Sequence, residues 1–160
     1  SSSSAASDVY KRQTVLFETN ESVIPKAVEY LNEVLLLEKK SVNQVIFYTG
    51  DPKKLSIENQ RGRIVFTKKD CNLFYKPKKK IIRQFADYEL DYLIDLNMVD
   101  SFPLIYLAGI SNARLRIGRQ SPARIQFFDL IFDHHDENQQ EFARQMLHYL
   151  KNMPDSYHII

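Results

Sequence analysis

Tryptophan is missing from this 160-residue chain, cysteine occurs once, and glycine only four times. A lone Cys71 cannot close an intrachain disulfide, and Asp70 beside it offers no base to activate a thiolate, so nothing points to an oxidising compartment. The glycines form no phosphate-binding loop of the GxGxxG or GxxxxGK[ST] kind. No apolar run approaches the roughly 18 to 20 residues that a bilayer-spanning helix needs. An excess of charge is lacking too: 22 Lys and Arg against 20 Asp and Glu leave +2, which by itself is no nucleic-acid footprint. No Ser, His and Asp set suggests a nucleophilic triad. These absences predict a cytoplasmic chain, without cofactor, long enough for one domain with a real core.

What is present is clearest from Asp91 to Gly118, DYLIDLNMVDSFPLIYLAGISNARLRIG. Tyr92, Leu93, Ile94 and Leu96 form a nearly continuous apolar run, which suits a central strand covered on both faces. Asp100 or Ser101 is placed to cap the next helix, with Pro103 tolerated in its first turn. Phe102, Leu104, Ile105, Leu107, Ala108 and Ile110 leave no polar stripe, so that helix is expected to be buried. Asn112 is a natural stop, and Leu115 and Ile117 alternate with Arg114 and Arg116 as in a strand.

Around this unit the pattern predicts strands at 14–18, 43–49, 63–67 and 127–132. Helices are expected after Ser22, over 78–88 and over 137–152, the first with Val23, Ala27, Val28, Leu31, Val34 and Leu35 on one face and the last with Phe142, Met146, Tyr149 and Leu150 inward. Such alternation implies right-handed crossovers and a mainly parallel sheet of about five or six strands. The expected fold is α/β, a single Rossmann-like three-layer domain.

The order of strand DYLIDL, helix SFPLIYLAGISNA and strand RLRIG resembles a segment of the acceptor-side domain of heptosyltransferases, a two-domain glycosyltransferase family. It is more similar to a family of short bacterial α/β proteins of unknown function, with LFYKPKK as another shared stretch; that likeness extends from Thr14 through Asn152 and implies a fold but no activity. The glycosyltransferase resemblance implies a catalytic acid near the end of the first strand. Only Glu18 stands there, without the family's motif, and nothing within these 160 residues is expected to supply the second, nucleotide-sugar domain.

Residues 3–13, SSAASDVYKRQ, resemble the codon-for-codon translation of a transposase-based sequencing adapter. Residues 1–13 are therefore expected to be a non-native tail outside the fold. Residues 14–153 then form the single domain, truncated at its N-terminus, and 154–160 a short C-terminal tail.

Four features are candidates for chemistry. Asp133, His134, His135 and Asp136 follow an apolar strand, and this DHHD resembles a metal phosphoesterase signature; adjacent His and Asp at a strand end can ligate one metal. That family needs further Asp-rich motifs on earlier strands, which are missing, and the plainer reading is a polar loop in which Asp136 caps the last helix. The region from Lys53 to Arg83 holds eleven Lys and Arg against Glu58 and Asp70. In it Lys76, Lys78, Lys79, Lys80 and Arg83, with Phe74 and Tyr75, are candidates for holding a polyanion and stacking a base, against the plainer reading of a solvated face. Arg114 and Arg116 suggest an anionic ligand or, preferred here, a charge-protected edge strand. At the turn after the Asp91 strand, Asp95 and Asp100 disfavour a phosphate.

No catalytic residue is named on this basis. The leading expectation is a non-catalytic domain acting through an unknown protein partner; the alternatives are polyanion or nucleic-acid binding through 53–83, and a glycosyltransferase-like fragment or metal phosphoesterase.

Overall fold

A computed structural model describes residues 12–37 and 41–152. Six strands form one sheet: β1 (Arg12–Thr19), β2 (Ser41–Tyr48), β3 (Arg63–Phe66), β4 (Tyr92–Asp95), β5 (Leu115–Arg119) and β6 (Leu130–Phe132). Every pairing is parallel and the order is β3-β2-β1-β4-β5-β6, the doubly wound order of the Rossmann fold. The chain works outward from β1 in one direction, then returns and works outward from β4 in the other.

Alternation along the strands divides the core into two apolar layers. Val15, Phe17, Ile46, Ile94 and Ile117 face α1 (Lys26–Leu37) and α5 (Gln139–Lys151), which bring Val28, Leu31, Phe142 and Met146. Leu16, Val45, Phe66 and Leu93 face the other way, against Ile81 and Phe85 of α2 (Lys79–Ala86) and Leu104 and Leu107 of α3 (Phe102–Ile110). Both faces of β1 and β4 are therefore covered, which is why Leu93 and Ile94 are adjacent in sequence and both fully buried.

Several local expectations are corrected. β1 begins at Arg12, two residues before the expected boundary at Thr14. The Arg12 amide donates to Asp91 Oδ2 at 2.8 Å, the Asp91 amide donates back to the Arg12 carbonyl at 3.0 Å, and Gln13 is buried. Residues 1–11 and the expected tail at 154–160 lie outside the described residues. Ser22 does not cap α1, which starts at Lys26 behind Pro25; its hydroxyl instead receives the Ser56 and Ile57 amides. The expected loop after Gly118 contains a short helix, α4 (Pro122–Ile125), which shortens the last strand to three residues. Asn138, not Asp136, caps α5 by accepting the Glu141 amide at 3.1 Å. Tyr149 stays half exposed while Phe142 and Met146 are buried, and in α3 the terminal Phe102 and Ile110 are the exposed members of an otherwise covered helix.

β5 lies between β4 and β6, so the edge-strand reading of Arg114 and Arg116 fails. Arg116 is there for another reason. Its guanidinium donates to the carbonyls of Ala108 and Ser111 at the end of α3, and pairs with Asp129 at 3.5 Å. Leu93→Ala should cost about 2 to 5 kcal/mol in urea unfolding, through lost burial and an unfilled cavity on the central strand; a near-neutral result would contradict the doubly covered position.

Candidate functional site

In a sheet of this order the crevice lies at the carboxyl ends of the two strands where the chain reverses, here β1 and β4. Glu18 stands near the end of β1. Asp95 ends β4, followed by Leu96, Asn97 and the loop to α3. The Asn97 side chain spans the gap: its Oδ1 accepts the Glu18 amide at 2.7 Å and its Nδ2 donates to Asp95 Oδ1 at 2.8 Å. Ser101, at the start of α3, makes no capping bond; its hydroxyl donates to Glu18 Oε1 at 3.2 Å.

Asp95 is wholly enclosed, at 0% exposure, and its partner Arg124 is at 1%. Arg124 Nε donates to Asp95 Oδ2 at 3.2 Å, and the remaining guanidinium nitrogens donate to the carbonyls of Asn97, Val99 and Arg119. Asp100, expected as a cap, instead faces Arg124 at 3.7 Å. A second arginine repeats the pattern, Arg119 donating to the carbonyls of Met98 and His134. Gly118 admits the Phe128 ring, which a Cβ there would meet at 2.7 Å, while Arg124 Cδ would lie at an ordinary contact distance of 3.4 Å. On the β2 side Gly50 performs a similar service, since a Cβ would sit 2.1 Å from the Asn20 carbonyl oxygen of the β1–α1 loop.

The DHHD quartet does not converge. His134 is 7% exposed, with its ring against Phe142 and Nδ1 3.0 Å from Gln145 Oε1. The His135 side chain is 86% exposed and lies 3.2 Å from Asp133, while Asp136 receives the Asn138 amide. Among the described residues no group of three or more His, Cys, Asp or Glu is placed to hold a metal. The basic run is divided by the sheet. Arg63 and its neighbour Arg61 lie where β3 begins, with Arg63 bonded to Gln44, whereas Lys76, Lys78, Lys79, Lys80 and Arg83 follow the far end of β3 and enter α2. Arg114 stands outside β5 and lies 3.7 Å from Asp91, so it and Arg116 are not aimed at one ligand.

Residues 1–153 match a family of unknown function, DUF6913. The chain belongs to that family. Among curated proteins none matches it.

In this DUF6913 chain Glu18 with Ser101 places a partly buried carboxyl beside a hydroxyl at the reversal of the sheet. Burial pushes the Glu18 carboxyl above its usual range, the Ser101 hydroxyl lowers it, and nearby Asp95 raises it further. Burial likewise raises Asp95, opposed by the Arg124 guanidinium and the Asn97 donors, so Asp95 is occupied in holding the loop. Asn97 escaped sequence reading, as did the pairing of Arg124 with Asp95, although one signal was available. An aspartate ending a fully covered apolar strand requires a buried donor from elsewhere in the chain.

Arg124→Met should cost about 3 to 5 kcal/mol in chemical unfolding by stranding Asp95, and Asp95→Leu with Arg124→Met should recover much of it. Because its folded value is raised, Glu18 favours the fold most below the ordinary carboxylate range, and that contribution is lost as pH rises through the raised value. Glu18→Gln should therefore be more stable than the wild type near neutral pH, with the gap closing below about pH 4; a melting-temperature series against pH reads this directly.

Proposed function

We propose that this protein is a non-catalytic α/β domain that acts through a protein partner, as a small accessory factor. The observation that carries the reading is that the chain's own side chains tie together the strand ends at the sheet's reversal. Asn97 joins the ends of β1 and β4 where a ligand would rest, and the Arg124 guanidinium takes the carbonyls of the loop beyond β4. Glu18 meets only a hydroxyl. Among the described residues its side chain has Ser101 as hydrogen-bond partner and no Lys or His to complete a proton relay, and it is the acid at the end of β1 that the glycosyltransferase resemblance would call on. The loops on either side of the reversal carry exposed apolar side chains, Val23 before α1 and Val99 and Phe102 before and at the start of α3. Exposed apolar side chains beside strand ends tied in this way suit a protein contact better than a small polar substrate.

Thermal-shift assays with nucleotides, sugar nucleotides and divalent metals should leave the melting temperature unchanged. A shift of several degrees that disappears in Glu18→Gln would replace this reading with an enzymatic one. Affinity purification from the native cell should enrich a stoichiometric protein with the wild type and lose it with Val99→Asp, Phe102→Asp at an unchanged melting temperature. Equal recovery with both chains would remove the assigned surface.

A further inference from the structure

The segment Cys71–Pro77 is a short, fully bonded turn that projects from the domain. A bridge between Cys71 and Pro77, both buried, forms its base. The Asn72 amide donates to the Lys76 carbonyl and the Tyr75 amide to the Asn72 carbonyl, while Asn72 Oδ1 receives the amides of Phe74 and Lys76 at 2.9 and 3.0 Å. Tyr75 sits at φ 61°, a left-handed conformation that disfavours an aromatic residue and that glycine usually supplies in such turns. So much local bonding serves to hold up two side chains that touch almost nothing: Leu73 is 94% exposed and Phe74 81%.

The charge around this tip has one sign. From Thr67 to Arg83 the only acid is Asp70, whose carboxylate is engaged by the Thr67 amide. Lys68, Lys69, Lys76, Lys79 and Lys80 form no ion pair among the described residues. Lys68 lies over the Tyr75 ring at 5.4 Å and Lys76 over the Tyr106 ring at 5.3 Å, so two of the nearby aromatic rings are already occupied by cations. Phe74 alone would be open to a base, and Leu73, the more exposed of the pair, offers a base no stacking surface.

We propose that the Leu73–Phe74 turn docks the protein on an anionic lipid surface. Leu73 and Phe74 enter the boundary between headgroups and acyl chains, and the surrounding lysines face the lipid phosphates. The complementarity is of shape and of charge: a convex apolar tip enters a fluid layer that needs no matching pocket, and mobile ammonium groups accept phosphates in any arrangement. This goes beyond the partner reading, since it concerns a different surface and a different class of occupant. No helix among the described residues is long and apolar enough to cross a membrane, so the contact is peripheral.

Sedimentation of the full chain with vesicles tests the proposal. It should bind vesicles of phosphatidylcholine mixed with phosphatidylglycerol, bind phosphatidylcholine alone far less, and release as salt rises from about 0.1 M to about 1 M. Leu73→Ser with Phe74→Ser should weaken partitioning about tenfold or more at an unchanged melting temperature. Lys76→Glu with Lys79→Glu should abolish the preference for anionic lipid. No binding to anionic vesicles would overturn the proposal, and so would binding that is indifferent to the Leu73 and Phe74 changes. Single-stranded RNA bound more tightly than vesicles, and weakened by Phe74→Ser but not Leu73→Ser, would overturn it in favour of a nucleic-acid site. None of these outcomes depends on the fate of the protein-partner reading, which is measured at Val99 and Phe102.

Discussion

The enclosed pair of Asp95 and Arg124 organises the functional end of this molecule. A carboxyl at the end of a doubly covered central strand has lost its water, and that cost must be met by donors from inside the chain. Arg124 meets it from a short helix after β5, donating through Nε to Asp95 Oδ2. Buried ion pairs are uncertain sources of net stability, but they are specific about geometry. Here the geometry includes the carbonyls of Asn97 and Val99, so the loop beyond β4 is held in one course. Asn97 is thereby set against the amide of Glu18, and the ends of β1 and β4 are tied together at the sheet's reversal.

Arginine takes the place that glycine-rich loops take in ligand-binding relatives of this architecture. There, free backbone N–H groups at a helix N-terminus face a phosphate. In this chain the arginines Arg116, Arg119 and Arg124 donate to loop and helix-end carbonyls around β5, turning guanidinium charge inward as structural glue. The scarcity of glycine is consistent with that choice, since two of the four glycines mark close approaches that let loops or side chains pack. Lysines without an ion pair among the described residues surround the Leu73–Phe74 turn instead.

The fold class was legible because burial on both faces writes itself as an uninterrupted apolar run, as at Tyr92–Leu96, and a covered helix as an absence of polar stripe, as in α3. The parallel alternation of strands and helices followed from the same periodicities. The ends of elements were less legible. Ser22, Asp100 and Asp136 each have the chemistry of a cap, but tertiary partners claimed the first two, Ser56 and Ile57 for Ser22 and Arg124 for Asp100, while Asp136 turned to the nearby Asn138 amide. A short polar side chain serves whichever donor arrives, and arrival is decided in three dimensions.

Charge was the least legible quantity of all. Sequence spacing put Arg114 and Arg116 together, and linear density made one patch of residues 53–83, yet β5 is internal and the basic run straddles opposite ends of the sheet. Sequence by itself determined that this chain builds a covered, parallel α/β sheet with a central strand at Asp91–Leu96, because hydrophobic burial is read locally from period and composition. Only the tertiary structure decided that Asp95 meets Arg124, that Asn97 bridges to Glu18, and that Leu73 and Phe74 stand outside the core. Those outcomes depend on pairings between residues up to 79 positions apart, as between Glu18 and Asn97, or on the course of one turn, and no local pattern encodes either.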